Sequence, residues 1–364
     1  MFKRKMGFAL VALMLTIALA LSGCTTKDKS PKDALQSSMS KSADIKSYNF
    51  TGSMVFEDFN FPAEGDGAAE AAAALNLMKS AELSWTGAYR ADPMLMELNL
   101  KLALQGDLAI TFNIPVVMTQ KKVWIKVPNI PMLPIPETVV DKFIELDLEQ
   151  LAEEAGQPLP NVDVAKSQKF ANDLMEIVFK HVDADTHLKT VKAKDVGLPS
   201  DVNASQVVQF HLDQSQLETF VNTVIEKIAP EVIELLSTNA EYRDMLQLKQ
   251  EDLDQAKAEL ENAKSGDASE AIAEMKQELK KLDVTVNYAI DKKDYPIYTD
   301  AKISAAIESE ELTGSVGIKV VSHMTGINEA PKFEIGEPKA EEVMTLEEVE
   351  AEMGGLLGGF GGEF

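Results

Sequence analysis

The 364 residues carry a formal net charge of −24 at pH 7, with 35 Lys and Arg against 59 Asp and Glu, and 45% of them are hydrophobic. A body this acidic is repelled by phosphate backbones and anionic headgroups, which excludes nucleic acid as a partner and adhesion to a membrane by charge alone. A single cysteine excludes disulfides within the chain, so packing has to hold the fold.

That cysteine, Cys24, closes the run Leu21-Ser22-Gly23-Cys24. Lys3, Arg4 and Lys5 precede an uncharged apolar stretch from Met6 to Leu21, the arrangement of a secretory signal. The run resembles the lipobox of bacterial lipoproteins. The resemblance implies cleavage between Gly23 and Cys24, loss of residues 1–23, and diacylation of the Cys24 thiol, which supplies the two chains that stable anchoring needs. The expected location is the cell membrane, on its extracytoplasmic side, with residues 24–33 as a tether. No other stretch of about 18 apolar residues exists to span a bilayer.

After a short helix around Ala34 to Ser42, the period changes to two over Tyr48–Phe61, Ala81–Ala91, Met94–Leu104, Leu108–Met118 and Lys122–Val127, which predicts strands with one apolar face. Met94, Met96, Leu98, Leu100, Leu102 and Leu104 share one face; Leu108, Ile110, Phe112, Ile114, Val116 and Met118 share another. Gln105-Gly106-Asp107 between them reads as a tight turn, so the two make a long hairpin. Ala68 to Lys79 reads either as a short helix or as an acidic loop. Pro128 to Pro136 is an extended connection, and Phe143 to Leu148 a short strand running into a helix from Glu149.

Helical spacing dominates the middle of the chain. Ala165 to Phe179 is amphipathic, Asp213 and Gln216 make a capping box, and Pro230 kinks or restarts the helix that follows. Glu241 to Lys264 and Ser269 to Leu282 read as a helical pair at the periphery. Strands return over Val284–Ile290, Ile297–Ile307 and Val316–Val320. Residues 337–364, acidic and then glycine-rich, are expected to be disordered, with a short helix over Leu346–Met353 marked by a Thr345/Glu348 capping box.

This order predicts an α+β fold: one large curved antiparallel sheet, a half-open barrel, with helices on its concave face and residues 34–336 forming a single domain that includes the helical pair 241–282. It resembles the half-barrel lipoprotein superfamily of the periplasmic carrier LolA and the lipoproteins LppX and LprG. The likeness lies in Ser47-Tyr48-Asn49-Phe50-Thr51-Gly52, in Val123-Trp124-Ile125-Lys126-Val127-Pro128 followed by Phe143-Ile144-Glu145-Leu146-Asp147-Leu148, and in Ile290-Asp291-Lys292-Lys293 before Tyr298. Membership implies a curved sheet closed by helices; several members hold acyl chains or lipids in the cavity between.

Chemistry-bearing residues are sparse. His181, Asp183, Asp185 and His187 alternate, and in a strand they would present one face to a divalent metal, but no second cluster completes such a site and solvated surface is the plainer reading. His211 and His323 are isolated, and no nucleophile, zinc-protease or phosphate-loop motif occurs. Neither catalytic residues, a metal nor a cofactor is therefore expected. Met94, Met96, Met118, Met132 and Met175 fill core gaps or line an adaptable pocket. Trp85 packs under the helices, whereas Trp124, opposite in parity to Val123 and Ile125, packs there or faces solvent or a partner. The expected function is non-enzymatic binding of a lipid or other hydrophobic ligand in an apolar cavity walled by Met96, Leu98, Leu100, Leu102, Ile110, Phe112 and Ile114. The alternative is a structural or signalling lipoprotein with a filled interior that docks an envelope protein.

Overall fold

The computed structural model describes residues 29–62, 68–104, 110–130, 135–154, 164–262, 275–309 and 313–353. The Gly23-Cys24 junction and the turn at Gln105-Gly106-Asp107 lie outside them. The chain is α+β, as its pattern of strands, helices and strands predicts. Its twelve strands are β1 (Ser47–Asn60), β2 (Ala81–Ala91), β3 (Met94–Leu104), β4 (Ile110–Met118), β5 (Lys122–Lys126), β6 (Phe143–Asp147), β7 (Leu188–Val191), β8 (Gln206–Asp213), β9 (Leu279–Ile290), β10 (Pro296–Glu308), β11 (Thr313–Thr325) and β12 (Val343–Thr345). They join in the order β12-β6-β5-β4-β3-β2-β1-β11-β10-β9-β8-β7, mostly antiparallel, with β12 parallel to β6.

The chain divides into two compact units. One comprises Met1–Asp44, Val55–Lys79 and Pro160–His323, the other Ile45–Met54, Ser80–Leu159 and Met324–Phe364. The divisions at Met54/Val55 and His323/Met324 fall inside β1 and β11, so an unbroken run of alternating residues hides them.

In the first unit, α1 (Pro31–Ser42) starts where the Ser30 hydroxyl accepts the Asp33 amide at 3.2 Å, with Pro31 at its first position, and Ala68–Lys79 is a helix, α2. Ala34, Leu35 and Met39 of α1 pack with Met175, Val178 and Phe179 of α4 (Val164–His181) on Val208, Phe210, Val286 and Tyr288 of β8 and β9. The capping box at Asp213 forms: the Gln216 side chain accepts the Asp213 amide at 3.0 Å, and Asp213 accepts the Gln216 amide at 3.2 Å. Helix α6 (Leu217–Thr223) then widens into a π turn over Val224–Ile228 before α7 (Ala229–Thr238). Pro230, in the first turn of α7, has no N–H to donate, and the chain restarts around it as expected.

The helical pair differs from its reading. Helices α8 (Ala240–Leu246) and α9 (Gln250–Asn262) form, but Leu279 to Leu282 open β9, where Leu282 pairs with Ala305. Both helices fall within the first member of that pair and are anchored by Tyr242 and Leu253, buried with Leu236 and Phe170, while residues 263–274, which include the start of its second member, lie outside the described ones. Polar spacing masks the few large side chains that anchor α8 and α9.

In the second unit, α3 (Leu148–Glu154) follows β6 directly. Residues 337–345 differ from the expected disorder in that β12 pairs with β6, whereas the short helix over Leu346–Met353 forms as read, α10, and buries Val349. The capping box forms, with Thr345 N–H donating to Glu348 at 2.8 Å and Glu348 N–H donating back to the Thr345 hydroxyl at 3.2 Å. A few buried apolar residues and strand pairing outweigh the acidic composition here. Among the described residues, no helix is long and apolar enough to cross a membrane.

Candidate functional site

The strands β3 and β4 pair so that Met96 faces Met118, Leu98 faces Val116, Leu100 faces Ile114, Leu102 faces Phe112 and Leu104 faces Ile110. Alternation puts opposed residues on the same side of a sheet. The seven residues Met96, Leu98, Leu100, Leu102, Ile110, Phe112 and Ile114 are therefore brought together on one face. The registers extend it: Leu83, Trp85 and Tyr89 of β2 lie beside Leu102, Leu100 and Met96, while Ile125 of β5 lies between Val116 and Ile144. On β1, Tyr48 and Phe50 join it, with Tyr48 5.4 Å from the Tyr89 ring. A Cβ on Gly52 would run into the Trp85 indole, and one on Gly87 into the Phe50 ring. Glycine at these two places lets both rings lie down on the backbone.

Every apolar side chain named on this face is partly buried and none fully so. Among the described residues of the second unit, none packs over the face closely enough to bury one of those side chains completely. The opposite face is where that unit has its core. Leu95, Val117, Trp124 and Phe143, all buried, cluster with Phe333 and Val343. Trp124 thus faces neither solvent nor a free surface: it is 5% exposed, and its indole N–H donates to Glu145 at 2.8 Å. Its odd parity is real, but residues 333–343 arrive from far along the chain to cover that side. Away from this cover, Lys101, Thr111 and Asn113 are exposed.

Beyond shape, the face offers the indole N–H of Trp85 and, at one end, the hydroxyls of Tyr48 and Tyr89. Burial raises the pKa of both hydroxyls, and the neighbouring Tyr89 adds to the rise at Tyr48. Both are therefore neutral donors across the physiological range.

The alternating histidines form no strand. Asp183 accepts the Asp185 amide and caps a one-turn helix, α5 (Ala184–His187), and the hydrogen bond from the Thr186 hydroxyl holds its carboxyl below the ordinary value. His181 sits 2.8 Å from Glu231, while His187 is buried between Phe210 and Phe220 with Nδ1 3.1 Å from the His211 carbonyl. Among the described residues, no group of three or more acidic, histidine or cysteine side chains converges as a metal site.

No family model matches this chain, and no curated protein matches it either. Among solved structures, one of lipovitellin, described by its lipid–protein interactions, is similar over 79% of this chain at 9% identity, with a TM-score of 0.23. This chain covers 26% of that one. At such a score no common fold follows. The apolar face stands on its own geometry.

Sequence reasoning picked out the β3 and β4 portion of the face and missed its extension across β1, β2, β5 and β6. The signal was present in Tyr48, Phe50, Leu83, Trp85, Tyr89, Val123 and Ile125, each at the right parity, but strand order is needed to join them.

Proposed function

We propose that this chain is a non-enzymatic lipoprotein, anchored through Cys24 to the extracytoplasmic side of the cell membrane, that holds a lipid or similar hydrophobic ligand against the apolar face of β1 to β6. One observation carries the reading: a face spanning six strands, lined by Leu98, Leu100, Leu102, Phe112, Ile114 and Trp85, in which no side chain is fully buried. Apolar surface of this extent is costly to leave in water, at about 25 cal/mol per Å². An aliphatic ligand removes that cost without needing a polar partner. The anchor rests on the pattern from Lys3 to Cys24, which places a thiol behind small residues and an apolar segment.

Native mass spectrometry of the mature protein tests the ligand: lipid beyond the covalent anchor is expected to co-purify, and the mass of the acylated chain alone, from membranes rich in lipid, would overturn it. Cys24→Ala tests the anchor separately. That variant is expected to remain an uncleaved precursor or to leave the membrane, and normal membrane-bound maturation would remove the assignment.

A further inference from the structure

The apolar face is not the same at its two ends. At one end Leu102, Leu104, Ile110 and Phe112 present no polar side-chain atom. At the other, Tyr48 and Tyr89 stand 5.4 Å apart, and neither hydroxyl has a hydrogen-bond partner among the described residues. Gly52 lies under Trp85, Gly87 under Phe50, and the Ala91 amide donates to the Lys46 carbonyl at 2.8 Å. These contacts fix one register, with Tyr48 opposite Tyr89 and Lys46 opposite Ala91. Lys46 is thus the next residue after Tyr48 in the same alternation, one step outside β1. Its side chain is exposed, its backbone amide donates to Asn328 at 2.6 Å, and its ammonium has no ion pair among the described residues.

One cation and two hydroxyl donors therefore border an otherwise apolar strip. From Met96 to Leu104 the strip runs eight residues, about 27 Å at about 3.4 Å per residue. That exceeds the roughly 15 Å spanned by one acyl chain in half of a bilayer core about 30 Å thick. An anionic head laid at the Leu104 end would lose its water with nothing in exchange, whereas at the Tyr48 end it gains charge-assisted hydrogen bonds. The protein's overall negative charge opposes an anion only at long range, and salt screens that repulsion beyond about 8–10 Å.

We propose that Lys46, Tyr48 and Tyr89 form a head-group subsite for a long-chain amphiphile with one anionic head, a carboxylate or a phosphate, whose chain runs along β3 toward Leu104. The inference rests on the reading of this face as a ligand surface.

The test is competition against 1-N-phenylnaphthylamine bound to the mature full-length protein, stripped of co-purified lipid. Palmitate, hexadecyl phosphate and hexadecanol have the same chain length and differ in the head. At least one of the two anions is expected to displace the probe at about five- to tenfold lower concentration than the alcohol, and which one does so separates a carboxylate from a phosphate ligand. Lys46→Gln, at an exposed position, is expected to remove that advantage while leaving hexadecanol unchanged, and added salt to narrow it in the parent. Tyr48→Phe with Tyr89→Phe is expected to weaken the preferred anion with no change in melting temperature. Equal displacement by all three compounds, or an advantage that survives Lys46→Gln, overturns the subsite and leaves the ligand face standing. A parent protein that binds no probe overturns the ligand face itself.

Discussion

The Glu97 carboxylate on β3 accepts the backbone N–H of Ile335 at 3.0 Å, and with it those of Glu334 at 2.7 Å and Gly336 at 2.5 Å. Glu97 is 5% exposed, so these three donors replace most of its lost water. The neighbouring contacts latch the same segment: Asn49 accepts the Lys332 amide at 2.8 Å, the Ser47 hydroxyl donates to the Glu329 carbonyl at 2.6 Å, and the Arg90 guanidinium lies over the Phe333 ring. The polypeptide thereby covers the side of β3 that carries Leu95 and leaves the side with Leu98 and Leu100 only partly buried.

Removing that acceptor leaves three backbone N–H groups without their carboxylate partner. Glu97→Ala is expected to cost about 2–5 kcal/mol, above the usual cost of one lost hydrogen bond because several donors lose one partner. Hydrogen exchange should locate the loss, with amides 334–336 exchanging much faster while those of β9 and β10 stay protected. Unchanged exchange at 334–336 would show that the segment is held by Phe333 and Val343 alone.

The two faces of β3 predict opposite responses to the same truncation. Leu95→Ala opens a cavity beside Val117 and Trp124 and is expected to cost about 2–5 kcal/mol in urea unfolding, with little effect on an apolar probe. Leu100→Ala, on the partly exposed face, is expected to cost about 1 kcal/mol or less and to weaken probe binding instead. A large loss of stability at Leu100 would make that face core and favour the protein-docking alternative over the ligand reading.

Local pattern made β3 and β4 legible, because alternation over eleven and nine residues depends only on neighbours in sequence. What pattern could not supply was the identity of partners across the chain. Glu97 reads as a surface residue among leucines, yet its donors lie 237 to 239 residues away. Trp124 and Val343 likewise become core only when residues 333–343 arrive. The Asp183 cap converts an alternating His-Asp-Asp-His string into a turn of helix, a choice decided by one side-chain oxygen. In the candidate site, Leu100 and Phe112 were visible from spacing, while Tyr48 and Tyr89 needed the β1 and β2 register to meet.

Asp173 on α4 ties α8 to α4 within the first unit through charge. Burial alone would raise its pKa, but hydrogen bonds from Lys169 at 2.8 Å and Tyr242 at 2.5 Å outweigh that and hold it below the ordinary value. A carboxyl depressed in the folded state adds stability above its unfolded pKa, near 3.9, and that stability is lost as pH falls through the lower folded value. Asp173→Asn is accordingly expected to destabilise at pH 7 by about 1 kcal/mol, with the deficit shrinking below pH 4. Tyr242→Phe keeps the ring against Phe170, at a centroid distance of 5.0 Å, and is expected to cost about 0.5–1.5 kcal/mol. Parallel urea titrations at pH 7 and pH 3 check both; a deficit independent of pH would assign Asp173 a role in packing alone.

Asp300 on β10 presents the reverse case. It pairs across the sheet with Asn287 and Val321, is 8% exposed, and leaves Oδ1 without a hydrogen bond among the described residues. The Asn287 side-chain oxygen is already taken by Gln209 at 2.7 Å, and the Lys319 ammonium stands 3.9 Å from Oδ1, too far for a hydrogen bond. Burial raises the Asp300 pKa, and the attraction of Lys319 and Lys302 offsets only part of the rise. A carboxyl whose folded pKa lies above its unfolded value favours the fold when protonated, and that benefit disappears as pH climbs through the folded pKa. At neutral pH the parent therefore carries a charge it would fold better without. Asp300→Asn, nearly the same shape and uncharged, is expected to raise stability by roughly 1 kcal/mol at pH 8 and by progressively less at pH 4 and below, as the parent carboxyl takes up its proton. Urea midpoints of the two proteins at those pH values decide the matter. A variant less stable than the parent at pH 8 would mean that the Lys319 attraction exceeds the cost of burial, making Asp300 a working ion-pair partner.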